Sequence, residues 1–392
     1  MDTKATSFLT QVPEIENDES AKGAVARIQA LEAALNTAFI EREDESASAV
    51  VALIAEEHML MLGPPGTGKS AMANAISSAI GGQEFSILLT KFSAPEEVFG
   101  PVSLKGLEND EYKRVTQGYF PQATVAFVDE IFKANSSILN SLLSALNERV
   151  FDNGGKREKI PLEVVIGASN ELPEDDTLDA LYDRFCLRHW VSYIKDRDNR
   201  RRLMQMKGAP AIAVRLQAGD LAKLRELREQ VIVPEEVEDS LLDICERLAE
   251  DIGVLVSDRR LRKSMKLVRA NAIRNGRIVA EKGDLMVLAN SLWLEPEQAP
   301  AVYGVVAECS SPALADALRL LDAATEVFGT LDFNESGGNA VAQLADANRE
   351  IRKMLTEVQA FQTDAAIAGV ANKIEAMANQ IAREVRSQIG GI

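Results

Sequence analysis

Residues 63–70 read Gly-Pro-Pro-Gly-Thr-Gly-Lys-Ser, the pattern Gly-x4-Gly-Lys-Ser, and follow directly on the apolar run His58-Met59-Leu60-Met61-Leu62. The pattern requires a strand before it and a helix after it, so it restricts the fold more than any other stretch of the chain. Gly63, Gly66 and Gly68 admit backbone angles closed to residues with a β-carbon, which lets successive N–H groups turn inward around a phosphate. Lys69 then reaches the β- and γ-phosphates, Ser70 offers its hydroxyl to Mg²⁺, and the helix starting near Gly68 points its positive end at the anion. Gly63, Pro64, Pro65, Gly66, Thr67, Gly68, Lys69 and Ser70 are therefore the candidate nucleotide-binding residues. The competing reading is a Gly/Pro turn that happens to carry a lysine.

Two further apolar runs end in polar residues. Val125-Ala126-Phe127-Val128-Asp129-Glu130 is a strand whose carboxyl end carries two acids, where open α/β sheets keep their ligands. Asp129 is placed to share the Mg²⁺ shell with Ser70, and Glu130 to orient and deprotonate an attacking water. The alternative is a solvated acidic turn. Val164-Val165-Ile166-Gly167-Ala168 is a second buried strand, followed by Ser169-Asn170. Asn170 either forms a turn, as asparagine often does, or shares the water with Glu130 through its amide.

The rest of the chain separates into regions. Residues up to about 20 carry little apolar period and suit a loose tail. Residues 21–39, with Val25, Ile28, Leu31, Leu35 and Phe39 three or four apart, predict an amphipathic helix, and a second is expected over 45–56. A helix over 70–80 stops at Gly81-Gly82, and 85–89 is expected to be a buried strand. Residues 92–122 mix turn residues with short extended pieces, an insertion of hairpin-like elements. A helix over 135–149, a hairpin around Asn153-Gly154-Gly155 and a last strand over 187–190 complete a β/α alternation, which predicts a mostly parallel sheet with helices on both faces. Arg184 stands at the edge of this domain, either solvated or reaching a neighbouring subunit's site as an arginine finger.

The expected boundaries are a tail at 1–20, an αβα domain at 21–195, a charged helical linker at 196–230, a helical lid at 231–298 and a helical extension at 299–392. Within the lid, Ser257 caps a helix whose first turn holds Arg259 and Arg260, a poor place for cations beside a helix dipole. An anionic ligand offsets that, so the two arginines either reach a γ-phosphate or lie solvated on the surface. After residue 341 an apolar residue recurs every three or four positions without a proline, predicting a long helical hairpin, a coiled coil or a plain bundle.

Composition narrows the partners. A net charge of -17 argues against a generic nucleic-acid binder, since phosphate backbones are held by clustered Lys and Arg. Three scattered cysteines and two histidines make a zinc site a poor expectation and suit a reducing, cytoplasmic compartment. The N-terminal stretch has no apolar core of a secretion signal, and no run is long enough to span a bilayer.

Taken together, 63–70, Phe127-Val128-Asp129-Glu130, Ser169-Asn170, Leu181-Tyr182-Asp183-Arg184-Phe185 and Val256-Ser257-Asp258-Arg259-Arg260 resemble the MoxR family of AAA+ ATPases. The runs Lys91-Phe92-Ser93-Ala94-Pro95-Glu96-Glu97-Val98-Phe99-Gly100-Pro101, Thr116-Gln117-Gly118-Tyr119-Phe120-Pro121, Ala145-Leu146-Asn147-Glu148-Arg149 and Ala168-Ser169-Asn170-Glu171-Leu172-Pro173 are similar to the RavA (regulatory ATPase variant A) branch. The likeness covers about 25–295; the region after 300 departs from that branch. It implies an αβα P-loop NTPase core with a helix-2 insert, a helical lid, and a ring, usually hexameric, with ATP and Mg²⁺ between subunits. By resemblance Lys69 and Ser70 are the Walker A pair, Asp129 and Glu130 the Walker B pair, Asn170 the first sensor, Arg184 the finger, and Arg259 the second sensor with Arg260 as its substitute. The resemblance further implies a von Willebrand factor A-domain partner and chaperone-like remodelling or maturation of a protein complex. The other expectation is a nucleotide-gated scaffold whose C-terminal helices recruit partners while turnover is incidental.

Overall fold

The computed structural model describes residues 15, 18–173, 178–208, 210–333, 338–361 and 365–390. Most of the expected N-terminal tail lies outside these. The chain divides into two compact units, Met1–Glu238 with Gly253–Ala299 and Asp239–Ile252 with Pro300–Ile392.

In the first unit, α1 (Glu19–Ala38) is capped by the Asp18 carboxylate and buries Val25, Ile28, Leu31 and Leu35, the stripe that the sequence predicts. α2 (Glu43–Ala55) leads to β1 (His58–Leu62), all five residues of which are buried, and α3 (Lys69–Ile80) follows, ending at Gly81. β2 (Glu84–Leu88) is followed by α4 (Pro95–Phe99) and α5 (Leu104–Leu107), with a bridge between Val102 and Arg114 closing the insertion. β3 (Val125–Asp129), α6 (Ser136–Glu148), the hairpin β4 (Val150–Asn153) and β5 (Lys156–Lys159), β6 (Val164–Ser169), α7 (Asp179–Tyr182) and β7 (Phe185–Trp190) complete the alternation.

The five long strands form one parallel sheet in the order β2-β3-β6-β1-β7. β1 and β6 are central, which is why their sequences are continuous apolar runs rather than alternating ones. The expectation of a buried strand at 85–89 is corrected: β2 is an edge strand, and Leu88 is 60% exposed. A strand with a neighbour on one side only leaves part of its surface to solvent.

The linker expected to be helical is also corrected. It holds α8 (Arg197–Gln205) and α9 (Asp220–Gln230), and 206–219 between them is largely irregular. Gly208 and Gly219 adopt positive φ among the described residues of that stretch, 206–208 and 210–219, and Pro210 lacks an amide hydrogen, so a single helix cannot continue. α10 (Glu235–Arg247) belongs from Asp239 onward to the second unit. α11 (Asp258–Arg274) starts at Ser257, whose hydroxyl accepts from the Arg260 amide, as the sequence predicts. It is tied to α1 by an Arg274–Glu32 pair and to Glu57, the residue before β1, by Lys263.

The second unit contains α12 (Ala299–Ser310), α13 (Pro312–Gly329), α14 (Gly338–Gln359) and α15 (Ala365–Gly390). α14 and α15 pack along Ile351, Val358, Ile374 and Ile381, the seam visible in the sequence. α13 packs on both, so the pair is part of a three-helix arrangement and not an isolated hairpin.

Candidate nucleotide-binding site

The carboxyl ends of β1, β6 and β3, three adjacent parallel strands, deliver the predicted residues to one place. A cavity of about 190 Å³ is lined by Pro65, Gly66, Thr67, Gly68, Lys69, Ser70, Asp129, Glu130 and Asn170. Gly63 turns the chain out of β1 with φ of 131°, and a β-carbon there would lie 2.4 Å from the Val191 carbonyl oxygen. Only glycine permits that approach, so Gly63 sets where the loop leaves the sheet. Its amide donates to the Ser169 carbonyl at 3.1 Å, fixing loop to β6.

Lys69 is buried at the first residue of α3 and donates from Nζ to the carbonyls of Gly63 at 2.6 Å and Pro64 at 3.0 Å. Burial pushes its pKa down, while the Asp129 and Glu130 charges oppose the shift. The ammonium therefore sits inside the loop, facing two carboxylates. Asp129 Oδ1 accepts from the Glu130 amide at 3.0 Å, which holds the first acid against the strand end. Glu130 has φ of 51°, a left-handed conformation uncommon outside glycine, and its Oε1 accepts from Asn170 Nδ2 at 2.7 Å. Of the two readings of Asn170, the contact with Glu130 is the one this geometry supports. A Ser70 hydroxyl and an Asp129 carboxylate in one cavity are hard oxygen donors, too few to cage an ion without substrate oxygens. That donor set fits Mg²⁺, which keeps waters and shares phosphates. Among the described residues no group of three or more His, Cys, Asp or Glu is placed to hold a metal by itself.

Arg184, Arg259 and Arg260 are not among the residues lining the cavity. All three gather around Asp183. Arg260 is buried and bonds Asp183 Oδ1 at 2.9 Å and the Cys186 carbonyl at 3.3 Å, whereas Arg259 is 57% exposed and lies 3.4 Å from Asp183 Oδ2. Arg184 approaches that same Oδ2 at 3.8 Å, and its buried Nε has no hydrogen-bond partner among the described residues. Burial, with Arg259 adding to it, lowers the pKa of Arg184.

Three residues escape sequence reasoning. Lys133, 3.2 Å from Glu130 Oε2, is signalled only by standing three positions after the acid. Asp183 lies inside a quoted motif, but nothing in the motif marks it as the common counter-ion. Arg42 is buried and donates to the carbonyls of Ser192 at 2.6 Å and Thr67 at 3.5 Å, with no local signal, because both partners are distant in sequence.

A family model described as the MoxR domain in the MoxR-vWA-beta-propeller ternary systems matches residues 26–225, and an AAA lid domain model matches residues 236–306. The chain belongs to the MoxR family of AAA+ ATPases. An uncharacterized protein of Methanocaldococcus jannaschii is 42% identical over 265 residues, 67% of this chain and 70% of that protein. Chaperone MoxR1 of Mycobacterium tuberculosis is 24% identical over 245 residues, 60% of this chain and 64% of its own. A solved structure from Cytophaga hutchinsonii, described as a candidate ATPase, aligns with a TM-score of 0.60 over 75% of this chain and 96% of its own at 16% identity, a likeness of fold. In a MoxR AAA+ chain the cavity at the ends of β1, β3 and β6 is the place for a nucleotide and its metal ion. No helix among the described residues is long and apolar enough to cross a membrane.

Proposed function

We propose that this chain is an ATP-hydrolysing ring ATPase, a hexamer, that remodels or matures a protein complex in a chaperone-like way. The observation that carries this reading is the single cavity in which Lys69, Ser70, Asp129, Glu130 and Asn170 meet. Lys69 and the loop amides bind the β- and γ-phosphates. Glu130, oriented by Asn170, takes a proton from water as its oxygen forms a bond to the γ-phosphorus. The bond from that phosphorus to the bridging oxygen breaks, and its electron pair leaves with ADP. Ser70 and Asp129 would hold Mg²⁺, which neutralises charge on the phosphates.

Arg184 acts on the neighbouring subunit's nucleotide, which suits a guanidinium whose Nε is unpartnered among the described residues. Arg259, exposed at the start of α11, is the lid sensor, and Arg260 its substitute. The proposed divisions are a tail at 1–20 and regions at 21–195, 196–230, 231–298 and 299–392; by compactness, 239–252 group with the last of these. A von Willebrand factor A-domain partner is supported by the description of the matched family model. The RavA branch rests on the sequence runs quoted above, while the matched model names a ternary system. A chaperone role is supported by the name of the mycobacterial relative, and a cytoplasmic location by three cysteines that are all free.

The test is Glu130→Gln. The variant is expected to bind ATP as the parent does and to lose turnover by about 10²-fold or more, the scale of a missing general base. Unchanged hydrolysis would remove Glu130 from its role, and the mechanism given above with it; no hydrolysis by the parent would remove the reading itself.

A further inference from the structure

We propose that Lys133 is a positioning residue for Glu130, an inference that rests on the hydrolytic reading above and adds to it the device that aims the base. Glu130 is the residue from which the short 3-10 turn Ile131–Lys133 starts. The turn is anchored: Ile131 is fully buried, the Lys133 amide donates to the Glu130 carbonyl at 2.9 Å, and the Phe132 ring packs 5.9 Å from that of Tyr182. The Lys133 side chain therefore leaves from a fixed point and returns across one turn to Glu130 Oε2 at 3.2 Å.

The two carboxylate oxygens thus face different partners: Oε1 accepts from Asn170 at the end of β6, and Oε2 forms an ion pair with Lys133 on the turn after β3. One donor would leave the carboxylate free to rotate about that single contact. Partners on opposite oxygens, one a hydrogen bond and one an ion pair, restrict its plane. An ionised carboxylate offers about four acceptor sites, so two are occupied and the others remain for the water.

An ordinary surface ion pair of this spacing does little. This one is asymmetric: the Glu130 side chain is 13% exposed and that of Lys133 43%. The lysine reaches inward to a carboxylate that solvent scarcely touches, while itself lying outside the residues that line the cavity. It can set the base without gripping the nucleotide.

The experiment compares full-length wild type with Lys133→Met, Lys133→Arg, Glu130→Gln and the Glu130→Gln/Lys133→Met double variant. It measures kcat, KM, equilibrium binding of a fluorescent ATP analogue and thermal midpoint. Lys133→Met is expected to lose on the order of 10- to 100-fold in kcat, the cost of misplacing a reacting group. Its analogue affinity and melting temperature should stay those of the parent, and Lys133→Arg should recover most of the rate. The double variant should be no slower than Glu130→Gln alone. A wild-type kcat in Lys133→Met, a loss matched by weaker analogue binding, or additive losses in the double variant would each overturn the inference. If Glu130→Gln itself hydrolyses normally, the mechanism given above has failed; if only Lys133→Met is normal, that mechanism stands and the positioning role falls.

Discussion

Arg260 Nη2 lies 2.9 Å from Asp183 Oδ1, and the arginine side chain is only 7% exposed there. Removing the carboxylate leaves a buried guanidinium with main-chain carbonyls alone, those of Asp183, Phe185 and Cys186. Breaking a fully buried pair costs about 3–5 kcal/mol; with Asp183 itself 36% exposed, about 2 kcal/mol is expected for Asp183→Ala. Arg259→Ala, removing a 57% exposed partner of the same acid, should cost under about 0.5 kcal/mol. Urea denaturation of the two variants checks the contrast, and equal losses would show that the exposed arginine carries as much as the buried one.

The loop glycines differ in what they protect. At Gly63 a β-carbon would meet the Val191 carbonyl at 2.4 Å, so Gly63→Ala must displace backbone, and both stability and nucleotide affinity should fall. At Gly66 nothing lies within 4 Å, but φ is 78°. Gly66→Ala should therefore cost only the left-handed penalty, about 1–2 kcal/mol, spent locally in the loop. Melting curves and analogue titrations separate the two, Gly63→Ala being the more damaging in both.

These contrasts show what the sequence carries and what it does not. The phosphate loop, the acidic strand end and the α1 stripe are local patterns, set by spacing along one element, and they appear where the spacing puts them. β2 misleads because an edge and a central strand can carry similar apolar residues; strand order is decided by the rest of the sheet. The linker misleads because charge density resembles a helix until Gly208, Pro210 and Gly219 are given weight. Asp183 and Arg42 are legible only in three dimensions, since each acts through partners that no periodicity identifies, while Lys133 carries only the weak signal of standing three positions after Glu130.

The two histidines impose a pH dependence whose sign can be worked out. His58 and His189 are buried, and burial holds His58 well below the usual value of 6.5 and His189 at about 3. The unfolded chain takes up protons that the folded chain refuses, so their contribution to stability is complete above pH 6.5 and shrinks as pH falls, for His189 down to about 3, by up to ~1.4 kcal/mol per unit. Glu45 opposes them: burial raises it to about 7 from 4.5, so its contribution is complete below pH 4.5 and is lost as pH rises to about 7. His189→Leu isolates one histidine, whose Nε2 has no partner to lose. The difference in unfolding free energy between variant and parent should widen in the variant's favour as pH falls from 6.5 to 4. A difference that stays constant with pH would show that His189 titrates normally in the fold.

In the proposed ring, the site of one subunit needs its own Lys69 and its neighbour's Arg184. Arg184→Ala and Lys69→Ala each break every interface of a uniform ring, but in different halves of the site. When the two are mixed in equal amounts, chance pairing restores both halves at about a quarter of the interfaces of a closed ring. Hydrolysis should therefore be absent from each variant alone and return on mixing to about a quarter of wild type or less. Arg184→Ala should fold well, because among the described residues its counter-ion is Asp183, which is 3.8 Å away and already holds Arg260. A loss of activity in the single variant is then not a loss of structure, and thermal melting verifies this. If no ratio of the two restores turnover while both variants assemble and melt as wild type, an arginine acting across the subunit boundary loses its support.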